Sequence, residues 1–397
     1  MEVFMNKLKV MSIFGTRPEA IKMAPVIKEL EKREEIESVV TVTAQHREML
    51  DQVLTLFNIR ADYDLDIMKA GQSLSEITAR ILKGLEEIII KEKPDLVLVH
   101  GDTTTSFVAA LASFYQQVSI AHIEAGLRSY DRYSPYPEEV NRHLIGGLAN
   151  FHFAPTYGAK ENLLRENISE ENIYISGNTV IDSLLSVVDE GYSFDNKQLN
   201  QIDFNNKKVI LLTTHRRENL TGGLRNIFNA VYDLTLANPE LEFIFPMHLN
   251  PRVREVANDI LGGLERVHLI EPLSYKEFAN LMAKVYLIMT DSGGIQEEAP
   301  SLGKPVLVLR DTTERPEAIA AGTVKLIGTE KDTINYVVNS LINNEEKYSQ
   351  MASAINPYGD GLASRRIMEM ILYYFGYSNE KIEEFIGEEE RILEMNL

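Results

Sequence analysis

YLIMTDSGGIQEEAPSLGKPVLVLRDTTERPE, residues 286–317, is the stretch whose reading decides the fold. An apolar run ends in Asp291, Ser292-Gly293-Gly294 come next, and Glu297 and Glu298 sit just beyond. This layout predicts a strand feeding a helix whose first turn can hold an anion, since unpaired N–H groups and the positive end of the dipole point outward there. It is not a GxGxxG dinucleotide turn. It is not a Walker loop either, because Gly303-Lys304 runs into Pro305 and the residue five before Gly303 is Glu298, not glycine.

The same rhythm extends in both directions. Apolar runs predict strands at 9–15, 38–43, 95–101, 118–124, 151–154 and 172–176, with helical periodicity at 20–32, 46–57, 75–91, 104–115 and 138–148. The pattern restarts at KKVILLTTH and continues through LEFIFPMH, VHLIEP, YLIMTD and KPVLVLRD. Runs such as DLVLVH are apolar throughout rather than alternating, which suits a parallel sheet covered on both faces. The expected fold class is therefore α/β, with two Rossmann-like, doubly wound domains. The expected boundaries are 1–184 for the first domain and 208–361 for the second. The polar stretch 185–207, rich in Asn and Asp, reads as a linker. Segments 362–375 and 379–395 read as helices that pack back on one of the domains, so that 362–397 can join the first.

Composition narrows the function classes. A length of 397 residues exceeds what one core usually covers. The net charge is −19, which argues against a general affinity for nucleic acid or an anionic membrane. Any phosphate must then be held by a local cluster of cations and N–H groups. Zero cysteines exclude disulfides, thiolate nucleophiles and Cys-ligated zinc, and fit a reducing compartment. No apolar stretch is long enough to cross a bilayer and none resembles a signal segment, so a cytoplasmic location is expected.

Candidate chemistry gathers where strands end. FGTRPEA (14–20) and TTERPEA (312–318) each follow a predicted strand and set Arg-Pro-Glu at a helix start, where the missing proline N–H costs nothing. Arg17 and Arg315 then lie at strand ends, the place where doubly wound folds bind ligands. Each could instead pair with a surface glutamate. Asp102 in VHGDTTT could be catalytic or could cap the following helix. Glu124 in HIEAGLR has no such easy role, and Ala125-Gly126 leave room beside it. Glu138 in SPYPEEVNRH could act on a ligand or simply favour its helix dipole, and Glu139 competes with it. In the second half the candidates are His215, Arg216 and Arg217 in THRREN, His248, Ser292, Glu298 and Arg315.

Metal and nucleophile readings find little support. No H-E-x-x-H occurs, the eight histidines are scattered, and His122-Ile123-Glu124 lacks the cysteines a zinc deaminase needs. No G-x-S-x-G elbow is present, since Asp291 precedes Ser292. There remains a set of carboxylates as acids and bases, with cations and a helix start as anion binders. Such a set suits a diphosphate leaving group, whose departing charge a preorganised pocket stabilises. No metal and no cofactor are expected.

From about residue 9 to 363, ordered motifs carry a family resemblance: FGTRPEAIKMAPV, TAQHREMLDQVL, VHGDTTT, HIEAGLRS, SPYPEEVNR, GNTVID, THRREN, HLNP, TDSGGIQEEAPSLGKPVLVLRDTTERPEA and GTVKLIGT. The chain resembles the non-hydrolysing UDP-N-acetylglucosamine 2-epimerases. The resemblance implies a GT-B type fold, with both domains facing a cleft that takes the nucleotide sugar. It implies interconversion of UDP-N-acetylglucosamine and UDP-N-acetylmannosamine by elimination of UDP to 2-acetamidoglucal and its re-addition, feeding surface polysaccharide synthesis, in a homodimer. Carried over by position, Asp102, Glu124, Glu138 and His215 are implied to be catalytic. Arg17, Lys22, Ser292, Gly293, Gly294 and Arg315 are implied to hold the diphosphate, and Glu298 the ribose. Gln45, His46, Gln72, Arg216 and His248 are implied for an activating second UDP-N-acetylglucosamine. Gly71 stands where the family carries an arginine at that site, which argues against strong activator dependence.

Three rivals stay open on sequence. A glycosyltransferase of the same architecture would need an acceptor motif, which the chain does not display. A hydrolysing 2-epimerase often adds a sugar-kinase domain, for which there is no room. A non-catalytic nucleotide-sugar sensor would have no use for Asp102, Glu124 and Glu138 together.

Overall fold

Strands that are apolar along their whole length can be satisfied only in a sheet covered on both faces, and two such sheets organise this chain. The computed structural model describes residues 7–44, 47–69 and 71–387. One sheet contains β1 (Leu8–Phe14), β2 (Ile36–Val42), β3 (Tyr63–Asp64), β4 (Leu96–His100), β5 (Ser119–Ile123), β6 (Phe151–Ala154) and β7 (Ile173–Ile175). The other contains β8 (Lys208–Thr213), β9 (Leu241–Pro246), β10 (Val267–Ile270), β11 (Leu287–Thr290), β12 (Val306–Val308) and β13 (Val324–Leu326). The strand orders are β3-β2-β1-β4-β5-β6-β7 and β10-β9-β8-β11-β12-β13. Every pairing is parallel. In each sheet the order in which strands are added therefore reverses once, between β1 and β4 and between β8 and β11. Crossovers leave on opposite faces at such a point and open a crevice at the strand C-termini, the ligand position of doubly wound folds. The expected α/β, GT-B-like class holds.

The two sheets belong to separate compact units, Met1–Ser183 with Tyr358–Leu397, and Leu184–Pro357. Met11, Ile13, Val97, Val99, Val108 and Ile120 are core residues of the first. Ile210, Phe228, Phe243, Phe245, Met289 and Leu307 fill the second. The polar stretch read as a linker starts inside the Thr179–Val187 helix and, beyond it, carries only a short turn, Leu199–Gln201. It lies along the Tyr275–Lys284 helix of the second unit. Asp189 N–H donates to Asn280 at 2.8 Å, Asp195 N–H to Glu277 at 3.1 Å, and Phe194 is buried.

The helix expected at 362–375 runs Ala363–Tyr374 and packs against the Arg17–Glu31 helix. Ser364 N–H donates to Asp182 at 2.7 Å, Arg33 pairs with Glu369, and Tyr374 stacks on Phe151 at 4.2 Å. The helix expected at 379–395 is not formed over 379–387; residues beyond 387 lie outside the described chain. Instead this segment borders the open side of β7, with Phe385 N–H donating to Ile175 O at 2.8 Å and Tyr174 OH to Glu383 O at 2.6 Å. The free donors and acceptors of a sheet edge outcompete the intrahelical bonds that the sequence pattern favours. The sequence reading also passed over β3 and β13, short edge strands with little hydrophobic signal of their own.

The β1 turn depends on one glycine. A Cβ at Gly15 would lie 2.0 Å from Thr43 Oγ1 and 2.6 Å from Thr105 Oγ1. Those two hydroxyls are buried and bonded to each other at 3.0 Å, so neither can retreat freely. Gly15→Ala is expected to cost about 1–3 kcal/mol of stability through overpacking, measured as a lower urea midpoint of the full chain.

Candidate active site

In the first unit the carboxylates stand at the ends of β4 and β5. After β4, Gly101 turns at φ +65°, which glycine adopts without cost, and sets Asp102 beyond the sheet. The following helix, Thr104–Tyr115, is capped by Thr103, whose Oγ1 accepts from Ser106 N–H at 3.1 Å. The capping role considered for Asp102 therefore falls to its neighbour. Asp102 instead accepts from the Arg142 guanidinium, and its carbonyl accepts from Asn141 Nδ2 at 2.9 Å.

Glu124 follows β5 with φ +61°, a left-handed conformation that side chains larger than glycine rarely adopt. Strain of this kind persists where surroundings over-determine it, and it concentrates at functional sites. Its carboxylate is only 7% exposed. Oε1 accepts from Lys22 and from Asn178 Nδ2 at 3.2 Å, and Oε2 lies 3.7 Å from the Arg142 guanidinium. Arg142 also donates to the Glu124 carbonyl at 2.6 Å, so one arginine fixes both the backbone and the side chain. Burial pushes the Glu124 carboxyl up, but Lys22 and Arg142 outweigh it and hold it below the usual carboxylate range. Those charges favour the ionised form of the carboxylate.

Glu138 opens the Glu138–Leu148 helix and lies four residues before Arg142, on the same helix face. It is half-buried and forms no ion pair with another described residue. Glu139, its rival on sequence, has a different task. Buried, it accepts from Ser129 N–H at 3.0 Å and Tyr130 N–H at 2.9 Å, pinning the loop that leads into the helix.

Beneath these groups lies support that the sequence reading did not single out. Glu19 is buried and accepts from Thr16 N–H at 2.8 Å, Thr103 Oγ1 at 2.6 Å and Ser106 Oγ at 2.8 Å, tying the β1 turn to the β4 turn. His122 Nε2 donates to the Gly101 carbonyl at 2.7 Å. Burial lowers His100 to about 4, so that imidazole is neutral below the carboxylates. Arg17 opens its helix half-buried, with no ion pair to a described residue, whereas Lys22 is engaged with Glu124.

In the second unit the organising group is Asp291, at the end of β11 and fully buried. Its Oδ2 accepts from Thr214 Oγ1, His215 N–H and Arg216 N–H, all at 2.9 Å, and from Asn219 Nδ2 at 3.0 Å. The β8 turn that carries His215 and Arg216 is thus folded around one oxygen. His215 stacks on His248, ring centroids 5.3 Å apart. Burial lowers the His215 imidazole below its ordinary value, while Asp291 pulls the other way. Ser292 N–H is held by Thr290 Oγ1 at 2.9 Å, and the Ser292 hydroxyl makes no capping bond. A Cβ at Gly294 would meet open space, and one at Gly293 would lie 3.9 Å from the Arg216 guanidinium.

The carboxylate pair beyond the glycines divides. Glu297 is buried and binds Arg315, while Glu298 is half-buried. Arg315 therefore pairs with a glutamate, though a buried one rather than the surface partner considered as its alternative, and Arg17, its counterpart in the internal echo, forms no ion pair among the described residues. Gln72 in the first unit donates to the Ile67 carbonyl at 2.8 Å. Gln45 and His46 lie outside the described residues. Among the described residues, no cluster of three or more potential ligands is placed to hold a metal ion, and no helix is long and apolar enough to cross a membrane.

A usable sequence signal existed for some of the unforeseen groups. Arg142 sits one turn beyond Glu138, and Asp291 ends an apolar strand where a carboxylate needs donors. Glu19 and Asn178 had none, because their partners come from distant segments. Chemically, the first unit offers an ionised buried carboxylate beside a second carboxylate. The second unit offers donors and cations around a backbone with room for an anion.

The family model described as UDP-N-acetylglucosamine 2-epimerase matches residues 28–372. The chain is 54% identical to UDP-N-acetylglucosamine 2-epimerase of Bacillus subtilis over 383 residues, covering 96% of this chain and all of that protein. A crystal structure of a UDP-N-acetylglucosamine 2-epimerase is 52% identical, with TM-score 0.90 over 96% of this chain and 100% of the other. The enzyme of Neisseria meningitidis bound to UDP-GlcNAc is 55% identical, with TM-score 0.82 over 92% and 99% of the two chains.

Proposed function

Because this chain belongs to the UDP-N-acetylglucosamine 2-epimerase family, we propose that its two sites divide one elimination and re-addition between them. The enzyme is an isomerase acting on a UDP-amino sugar. In the proposed reaction a carboxylate of the first unit takes the C2 proton, and the C1–O bond breaks with its electron pair leaving on the diphosphate oxygen of UDP. The product of that step is 2-acetamidoglucal. UDP then adds back to C1 while a proton reaches the opposite face of C2, giving UDP-N-acetylmannosamine. Neither electrons nor protons are left over, so no redox partner is required.

The observation that carries this reading is the environment of Glu124. It is a buried carboxylate kept ionised by Lys22 and Arg142, on a strained backbone, with Glu138 on the same helix face as Arg142. Two carboxylates in unlike surroundings can serve as base and acid on opposite faces. Glu124 and Glu138 take the proton-transfer roles and Asp102 orients them through Arg142. Arg17, Lys22, Arg315, Ser292 and the N–H groups at Gly293 and Gly294 receive the diphosphate, with His215 in contact with it. Glu298 accepts from the ribose hydroxyls. With Gly71 in place of an arginine, activation by a second UDP-N-acetylglucosamine at Gln45, His46, Gln72, Arg216 and His248 is weak. The enzyme works as a cytoplasmic homodimer whose product feeds surface polysaccharide synthesis, a reading supported by family membership and the absence of cysteine.

Incubation with UDP-N-acetylglucosamine in deuterated water tests the reaction. Deuterium is expected at C2 of a sugar still attached to UDP, read by mass spectrometry and proton NMR. Release of free N-acetylmannosamine would mean a hydrolysing enzyme. No exchange would leave a transferase or a sensor.

A further inference from the structure

Asp291 uses its two oxygens differently. Oδ2 takes all four loop donors, from Thr214, His215, Arg216 and Asn219. Oδ1 is buried and has no hydrogen-bond partner by strict geometry, yet it lies 3.3 Å from His215 Nδ1. A fully buried carboxylate oxygen without a donor is costly, and that imidazole nitrogen is close enough to supply a proton. The loop clamp alone would be complete with Oδ2. Among the described residues, the other charged or titratable groups that act on the ring are His248, stacked at 5.3 Å, and Arg216, next in the chain. Arg216 can only donate, and His248 lies over the face of the ring rather than in its plane, so neither is placed to accept from Nδ1.

We propose that Asp291 is a positioning residue for His215, holding the ring as the Nδ1–H tautomer so that Nε2 is turned toward the UDP diphosphate. In the free enzyme Nε2 is then a bare acceptor. When UDP arrives or departs, a proton on Nε2 makes an imidazolium flanked by Asp291 on one side and diphosphate oxygens on the other, stabilised by both. Asp291 thereby sets which nitrogen exchanges the proton, as the orienting carboxylate of a hydrolase triad does for its histidine. The inference rests on the reading of His215 as a diphosphate contact.

Asp291→Asn separates this role from the loop clamp. The amide oxygen can keep the four donors that Oδ2 accepts, but its NH2 replaces Oδ1 and can only donate. His215 Nδ1 must then accept, and the proton moves to Nε2. The variant is expected to lose about a hundredfold in kcat with KM within about threefold. Combining it with His215→Gln should add no further loss, since both changes disable one unit.

The tautomer is read directly, without turnover, by nitrogen-15 NMR of histidine-labelled full-length enzyme at mildly alkaline pH, with His215→Gln identifying the signal. Nδ1–H in the native enzyme is the expected result; Nε2–H overturns the proposal even if Asp291→Asn fails to fold. Native kcat in a folded Asp291→Asn, or multiplying losses in the double variant, overturns it too. The NMR result stands apart from the epimerase reading, which the deuterium experiment tests on the native enzyme.

Discussion

Glu124→Gln is expected to lower kcat by about a thousandfold or more while UDP binding stays within a few-fold of native. The amide has nearly the shape of the carboxylate, so Asn178 and Arg142 keep most of their neighbours. The change removes a buried carboxylate whose charge Lys22 and Arg142 stabilise. A neutral amide cannot take a proton from C2, the step proposed for this carboxylate. The ion pair with Lys22 becomes a neutral hydrogen bond at most, which would favour rather than weaken an approaching diphosphate. Calorimetry with UDP and initial rates of epimerisation separate binding from chemistry. Turnover within tenfold of native, or loss of UDP binding in step with turnover, would remove Glu124 from the proposed role.

Arg142→Met is the second large effect, expected at about a hundredfold in kcat/KM. Arg142 is 6% exposed and contacts Asp102, the Glu124 carbonyl and the Glu124 carboxylate at once. Methionine fills part of the volume but carries no charge, leaving Asp102 without its guanidinium. These contacts also fix the sign of the pH effect. Arg142 lowers the Glu124 carboxyl, so its removal raises it. A base with a higher pKa is protonated sooner as pH falls, and the acid limb of kcat/KM must move to higher pH. Breaking a buried ion pair can cost about 3–5 kcal/mol, so circular dichroism must first show a folded variant. An acid limb at the native position in a folded protein would refute this account of Arg142.

These two residues differ in how far the sequence revealed them. Glu124 was legible because few structural roles suit a glutamate at a strand end followed by Ala-Gly. Arg142 was not singled out, although its place one turn after Glu138 put it on the right face. Nothing local ties it to Asp102, 40 residues earlier in the chain. Asp102 itself was ambiguous between cap and catalyst until the fold showed Thr103 doing the capping. Glu138 and Glu139 were inseparable by composition, and only the bonds from Ser129 and Tyr130 N–H assign Glu139 to the loop. The helix expected at 379–395 failed for a similar reason, since an edge strand supplied bonds that no periodicity can register.

The stretch 286–317 shows the same division. From sequence alone, TDSGG is a strand, a turn and a helix start, and its apolar run requires a covered parallel sheet. Period, glycine placement and unbroken apolar strands are local quantities, and they determined the α/β class, the two-unit rhythm and the strand ends, where doubly wound folds bind ligands. Tertiary structure decided which carboxylates are ionised, which arginines are engaged and what Asp291 does. Those properties depend on burial and on charges brought from distant segments. Folding brings His215 within 3.3 Å of Asp291 although 76 residues separate them. Electrostatic energy depends on distance through space, and the order of residues along a chain does not record it.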